Sequence, residues 1–182
     1  LLGHGEGVTR LTTPTRLPAT MSSERVVAVS AGRSHSLALA ANGAVWSWGW
    51  GGQGRLGHGD QQEQLLPKKI DAFADQRVIA VSPGLNHNLA LTADGAVWSW
   101  GFGEDGQLGH GDQQRQLLPK KIEAFIGRRV VAVSAGTDHS LAISAEGTIV
   151  TWGAGKSGCL GHGEDLSNQL LPKKVEAWAP GP

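Results

Sequence analysis

Seven histidines fall into two evenly spaced sets, and imidazole is the side chain best suited to metal ligation or to proton transfer near neutral pH. His4, His58, His110 and His162 each stand in a Leu-Gly-His-Gly run, whereas His35, His87 and His139 sit beside Ser34, Asn86 and Asp138. The first set could offer nitrogen ligands to zinc. No cysteine or carboxylate pair, however, accompanies every one of them at ligand spacing, and a turn histidine that satisfies backbone groups explains one copy per unit equally simply. The second set could act as the base of a hydrolase triad around Ser34 or Ser36, and Asp138, His139 and Ser140 even place the three residue types side by side. Recurrence argues against it: a catalytic constellation is one convergence of unlike groups, and these histidines return in every unit. No catalytic residue, metal ligand or cofactor is assigned, and no Walker sequence offers a phosphate cradle. The chain is therefore read as a non-enzyme.

The recurrence is the dominant feature of the chain. Val26-Val27-Ala28-Val29-Ser30 returns as Val78-Ile79-Ala80-Val81-Ser82 and as Val130-Val131-Ala132-Val133-Ser134, each 52 residues after the last. The same offset carries His35 to His87 and His139, Trp48-Gly49 to Trp100-Gly101 and Trp152-Gly153, and Leu56-Gly57-His58-Gly59 to the runs that begin at Leu108 and Leu160. Pro67-Lys68-Lys69-Ile70 recurs at Pro119 and, after one inserted residue, at Pro172, with Pro14-Thr15-Arg16-Leu17 as a diverged further copy. The organisation is thus a partial unit over 1–25 and repeats over 26–77, 78–129 and 130–182.

Each repeat reads as four short strands. Val26 to Ser30 suits a first strand, Ala31 to Ser34 a turn, and His35 to Ala40 a second strand in which Leu37 and Leu39 alternate with small residues. Asn42-Gly43, echoed by Asp94-Gly95 and Glu146-Gly147, predicts a two-residue hairpin turn at positive φ. Ala44 to Trp48 is the third strand. A glycine-rich loop follows, and Pro67 to Ile70 is the fourth strand, which proline starts and the lysine pair guards against edge pairing. The period and the glycine content exclude helical solenoids, and a leucine-rich repeat would return every 20–29 residues or so. The expected class is all-β, a propeller of four-stranded blades with about three to three and a half blades present.

Composition agrees with many short strands and tight turns: 27 Gly and 7 Trp accompany a single Met and no Tyr. Sixteen basic residues balance sixteen acidic ones, so no global field draws nucleic acid or an anionic membrane. A local basic rim at Lys68-Lys69, Lys120-Lys121 and Lys173-Lys174 is conceivable, but edge protection explains those lysines with less assumed. The lone Cys159 cannot close an intramolecular disulfide, and no apolar run reaches the roughly 18 residues of a membrane span. The expectation is an intracellular protein, cytoplasmic or nuclear, with no membrane partner and no nucleic acid.

The series Val26 through His35-Ser36-Leu37-Ala38-Leu39, Asn42-Gly43, Trp46-Ser47-Trp48-Gly49, Gly54, Leu56-Gly57 and Pro67 resembles the repeat of the regulator of chromosome condensation family, and all three full units carry it. The resemblance implies a seven-bladed propeller, about seven times 52 residues. The blades seen here would then be completed by further blades of the same protein or by a second copy. It also implies protein partners, among them a small GTPase, since nucleotide exchange on Ran is the namesake activity. That activity relies on an inserted hairpin, and no such insertion interrupts these units. Trp48-Gly49-Trp50-Gly51 is similar to the plant UV-B photoreceptor branch. The chromophore tryptophan of that branch's Gly-Trp-Arg-His-Thr motif is replaced here at Arg33, Leu85 and Thr137.

Trp48, Trp100 and Trp152 are read as blade-packing groups whose indole N–H finds a backbone partner, and His35, His87 and His139 as structural hydrogen-bonding groups. Trp50 and Phe102, in the glycine-rich loop where the third unit has Ala154, are open to either loop packing or partner contact. About two-thirds of positions are identical between the first two full units, and much of the change falls in loops. Arg33-Ser34 becomes Leu85-Asn86 and then Thr137-Asp138. Emerging on one face, these residues would form a mosaic suited to a specific protein partner.

Overall fold

The computed structural model describes residues 2–8, 10–17 and 24–176; the remaining positions of the partial unit over 1–25, and residues 177–182, lie outside the described residues. Three four-stranded antiparallel sheets follow one another along the chain. The first contains β1 (Val26–Ala31), β2 (His35–Ala40), β3 (Val45–Gly49) and β4 (Gln64–Lys69). The second contains β5 (Val78–Pro83), β6 (His87–Thr92), β7 (Val97–Gly101) and β8 (Gln116–Lys121). The third contains β9 (Val130–Ala135), β10 (His139–Ser144), β11 (Ile149–Gly153) and β12 (Gln169–Lys174). Strand order within every sheet is the order in sequence, which is the meander of a propeller blade.

Two details differ from the sequence expectation. The β2–β3 hairpin is closed by three residues rather than two, because Gly43 N donates to Ala40 O while Ala40 N donates to Ala44 O. Only Gly43, with φ +90°, is left-handed, and Asn42 is not. A turn followed by a left-handed glycine matches the right-handed twist of the strands as well as a two-residue loop does. The fourth strand also begins earlier than Pro67, at Gln64. Pro67 can lie inside it because β4 is an edge strand whose pairing with β3 is interrupted by a bulge between Ser47 and Gly49.

The core lies between blades. Leu37, Leu39, Val45, Ile70 and Phe73 of the first blade pack against Val78, Ala90 and Trp100 of the second. Leu89, Leu91, Val97, Ile122 and Phe125 meet Val130, Ala142, Val150 and Trp152 in the same way. Phe73 and Phe125 sit on one-turn 3-10 segments at Asp71–Phe73 and Glu123–Phe125. They present their rings edge-on to Trp100 at 5.7 Å and to Trp152 at 5.6 Å, a favoured aromatic geometry. The first strands lie against one another, and Ala135 N donates to Ser82 Oγ at 2.9 Å across the seam.

The first and third blades each have one face that no described sheet covers. Val26 is 41% exposed, whereas Val78 and Val130 in the same register are 2% exposed. Val29 is 73% exposed, while Val81 packs on the core between the first two blades. At the other end Ile143 is 39% exposed where Leu39 and Leu91 are buried. Both outer faces therefore present apolar surface of the kind that interior blades cover.

Candidate functional site

The Leu-Gly-His-Gly runs of His58, His110 and His162 are staples, each within its own blade. Ser47 Oγ donates to Leu56 O at 2.7 Å, so its lone pair is left to accept from His58 Nε2 at 2.8 Å. Ser99 repeats this with Leu108 O and His110, and Thr151 with Leu160 O and His162. Burial, followed by the nearby lysine charge, lowers His58 and His110 to about 4, so both are neutral at physiological pH. Among the described residues no group of three or more His, Cys, Asp and Glu side chains is placed to hold a metal.

The second set of histidines joins blade to blade. His35 Nε2 lies 2.7 Å from Asn88 Oδ1, and Asn88 Nδ2 donates to Arg55 O at 2.8 Å. Because Asn88 Oδ1 can only accept, His35 carries its proton on Nε2. His87 Nε2 meets Ser140 Oγ at 2.9 Å, and that hydroxyl donates to Gln107 O at 2.8 Å, which fixes the same tautomer. A strand histidine and the glycine-rich loop of one blade thus both grip the second strand of the next. Burial lowers His35 to about 4 and His87 to about 3, and the Nδ1 atoms of both are buried without a partner. His139 occupies the same register in the third blade, where no described sheet faces it, and it is only half-buried.

Trp100 and Trp152 are fully buried and Trp48 is nearly so. Trp100 Nε1 donates to Arg55 O at 3.0 Å, whereas Trp152 Nε1 has no partner among the described residues. A backbone acceptor for every indole, the sequence expectation, therefore does not hold at Trp152; Gln107 O, the counterpart of Arg55 O, receives Ser140 Oγ alone.

The three turns that join the first and second strands converge. Ala31, Gly32 and Arg33 of the first blade, Pro83, Gly84 and Leu85 of the second, and Ala135, Gly136 and Thr137 of the third line one shallow depression of about 380 Å³. Glycine permits the approach, since a Cβ on Gly32 would stand 2.9 Å from Gly84 O and one on Gly84 would collide with Gly136 O. Arg33 and Thr137 are exposed, while Ser34, Leu85, Asn86 and Asp138 are half-buried. Asp138 pairs with Lys156 at 3.3 Å. The glycine-rich loops flank the same face, because Trp50 N donates to Ser34 O, Phe102 N to Asn86 O and Ala154 N to Asp138 O. Trp50 is 44% exposed and Phe102 half-buried.

Sequence reasoning missed Arg55. Its residue is buried to 1% exposure, its guanidinium lies 4.0 Å from the centre of the Trp50 ring, and its Nη1 donates to Leu85 O. The available signal was register: Arg55, Gln107 and Cys159 are aligned positions with unrelated side chains.

The profile of the RCC1-like domain matches residues 1–180. The chain belongs to the RCC1-like domain family. The ultraviolet-B receptor UVR8 of Arabidopsis thaliana is 39% identical over 176 residues, covering 97% of this chain and 39% of its own length. The human E3 ubiquitin-protein ligase HERC2 is 40% identical over 180 residues, 96% of this chain and 4% of the ligase. The crystal structure of human WBSCR16 aligns with a TM-score of 0.76 at 32% identity, over 83% of this chain and 38% of that one. That of Prp20p from Saccharomyces cerevisiae, described together with its binding to Gsp1p and histones, aligns with the same TM-score of 0.76 at 24% identity. It covers 84% of this chain and 38% of that one, and at that identity the likeness is one of fold. The chain thus spans under two-fifths of the length of these relatives, and its blades are part of an RCC1-type propeller. No described helix is long and apolar enough to cross a membrane.

Proposed function

We propose that this chain is a non-catalytic, intracellular protein-interaction scaffold whose partner is read by the face that carries Arg33, Ser34, Leu85, Asn86, Thr137 and Asp138, flanked by Trp50 and Phe102. The observation that supports this reading is the convergence of three turns whose side chains differ from blade to blade. The 52-residue repeat continues through them, while Arg33, Leu85 and Thr137 succeed one another at one position and Ser34, Asn86 and Asp138 at the next. A surface of that kind discriminates partners by local charge and shape. The uncovered faces at Val29 and Ile143 are filled by further blades of the same protein, with a second copy as the alternative.

A photo-crosslinking residue at Thr137 tests the face. One discrete partner adduct there and none from the same residue at Asp75 supports the reading; adducts only from Asp75 overturn it. Nucleotide exchange on a small GTPase is the competing activity within the family. The even period of the blades, with no inserted hairpin, speaks for a scaffold, and acceleration of nucleotide release in a GTPase panel would speak for exchange.

A further inference from the structure

We infer that the Arg55–Trp50–Arg33 cluster is a carboxylate-binding site that takes an acidic side chain from the protein partner; this rests on the interaction face proposed above and names the chemistry of one part of it. Arg55 is an anomaly within its own repeat. It is buried to 1% exposure, yet no carboxylate pairs with it among the described residues. The neighbouring charge that acts on it is another cation, Arg33, which together with burial lowers it to about 10. Nε donates to Gly52 O at 2.8 Å and Nη1 to Leu85 O at 3.1 Å, but Nη2 is buried with no partner. A buried guanidinium with an unused N–H is costly unless an anion answers it.

The other blades act as controls, because the fold does not ask for arginine here. What the architecture uses at position 55 is the carbonyl, which receives Asn88 Nδ2 and Trp100 Nε1. Gln107 supplies the same carbonyl to Ser140 with a neutral side chain, and the third blade has Cys159. Three differences coincide in the first blade alone: Arg33 where the others have Leu85 and Thr137, Trp50 where they have Phe102 and Ala154, and Arg55. The half-exposed Trp50 ring covers the Arg55 guanidinium, and the exposed Arg33 lies close enough for its charge to act on it, so a partner's carboxylate would meet Arg33 first and reach Arg55 Nη2 as the indole swings aside. Guanidinium presents its donors as a planar fork that fits a carboxylate, and the Trp50 ring, stacked on one side of it, holds that plane.

The test titrates the whole protein with a blocked oligoglutamate peptide, following Trp fluorescence and calorimetry, with oligoglutamine and inorganic phosphate as parallel probes. Oligoglutamate is expected to bind and oligoglutamine not to. Arg55→Gln, the residue the second blade already uses, should weaken binding about tenfold or more at an unchanged melting temperature. Arg33→Leu, also borrowed from the second blade, gives an independent loss should Arg55→Gln fail to fold. Lys68→Ala with Lys120→Ala should leave binding intact. Full binding by Arg55→Gln or Arg33→Leu, loss through the lysine variants instead, tighter binding of phosphate, or no binding at all overturns the site. Failure here leaves the wider face standing, while oligoglutamate binding with a partner indifferent to Leu85 and Asp138 would remove the face and keep the carboxylate site.

Discussion

Replacing both inter-blade histidines by glutamine should remove a substantial part of the acid sensitivity of this fold, the rest staying with His58 and His110. His35 and His87 are buried in the neutral form, lowered by burial to about 4 and about 3 from 6.5. Between those values and 6.5 the unfolded chain binds more protons than the folded one. Their contribution is therefore complete above pH 6.5 and is lost as the pH falls towards 4 and then 3. At pH 5 the loss spans about 1.5 pH units per histidine, or roughly 2 kcal/mol each and about 4 kcal/mol together, a large share of the roughly 5–15 kcal/mol that holds a domain folded. Proton uptake would also place an N–H at Nδ1, which faces no acceptor. In His35→Gln/His87→Gln the amide can still donate to Asn88 Oδ1 and Ser140 Oγ, but it does not titrate. Urea unfolding at pH 7.5 and 5.0 should show the wild type losing about 4 kcal/mol more than the double variant. Equal losses in the two proteins would refute the assignment of these histidines as neutral clamps, because His58 and His110, half-buried, are common to both.

Three further outcomes follow from the same geometry. Gly109→Ala should destabilise by about 2–4 kcal/mol in thermal or urea unfolding, since Gly109 has φ +75° and a Cβ there would stand 2.8 Å from Trp152 Nε1; Gly127→Ala, with the same φ and nothing within 4 Å, should cost only the backbone share of that. Ser140→Ala removes the acceptor of His87 and the donor to Gln107 O and should cost about 2–3 kcal/mol, with little further loss when His87→Gln is added. Light scattering should show concentration-dependent self-association of the isolated chain, suppressed by Val29→Glu with Ile143→Lys; a stable monomer at all concentrations would count against the need for neighbouring blades.

The propeller was legible in the sequence because repetition multiplies a weak signal. One Val-Ile-Ala-Val strand is ambiguous, but three at a constant spacing, each followed by Trp-Gly, are not. The hairpin was misread at Asn42-Gly43 because that dipeptide signals a turn without distinguishing a two-residue loop from a three-residue one. The unpartnered indole N–H at Trp152 was invisible for a similar reason, since the aligned loop carbonyls of Arg55 and Gln107 look alike in the repeat and only three-dimensional placement shows which donors reach each. Position in the repeat told which histidines recur, but not that one set closes a blade while the other joins two. Arg55 escaped notice because its importance lies in the missing counter-charge, which only three-dimensional placement reveals. The register that aligns it with Gln107 and Cys159 was nevertheless already in the sequence.

The most direct measurement is the dissociation constant of the partner recovered through Thr137, compared between wild type, Arg33→Ala/Leu85→Ala/Asp138→Ala, and an opposite-face variant, Arg128→Ala/Arg129→Ala, all with matched melting temperatures. Loss of at least about tenfold in affinity confined to the first variant is the expected result. Unaltered binding by that variant, or loss confined to the opposite face, would contradict the assignment of the three-turn surface as the working face of this protein.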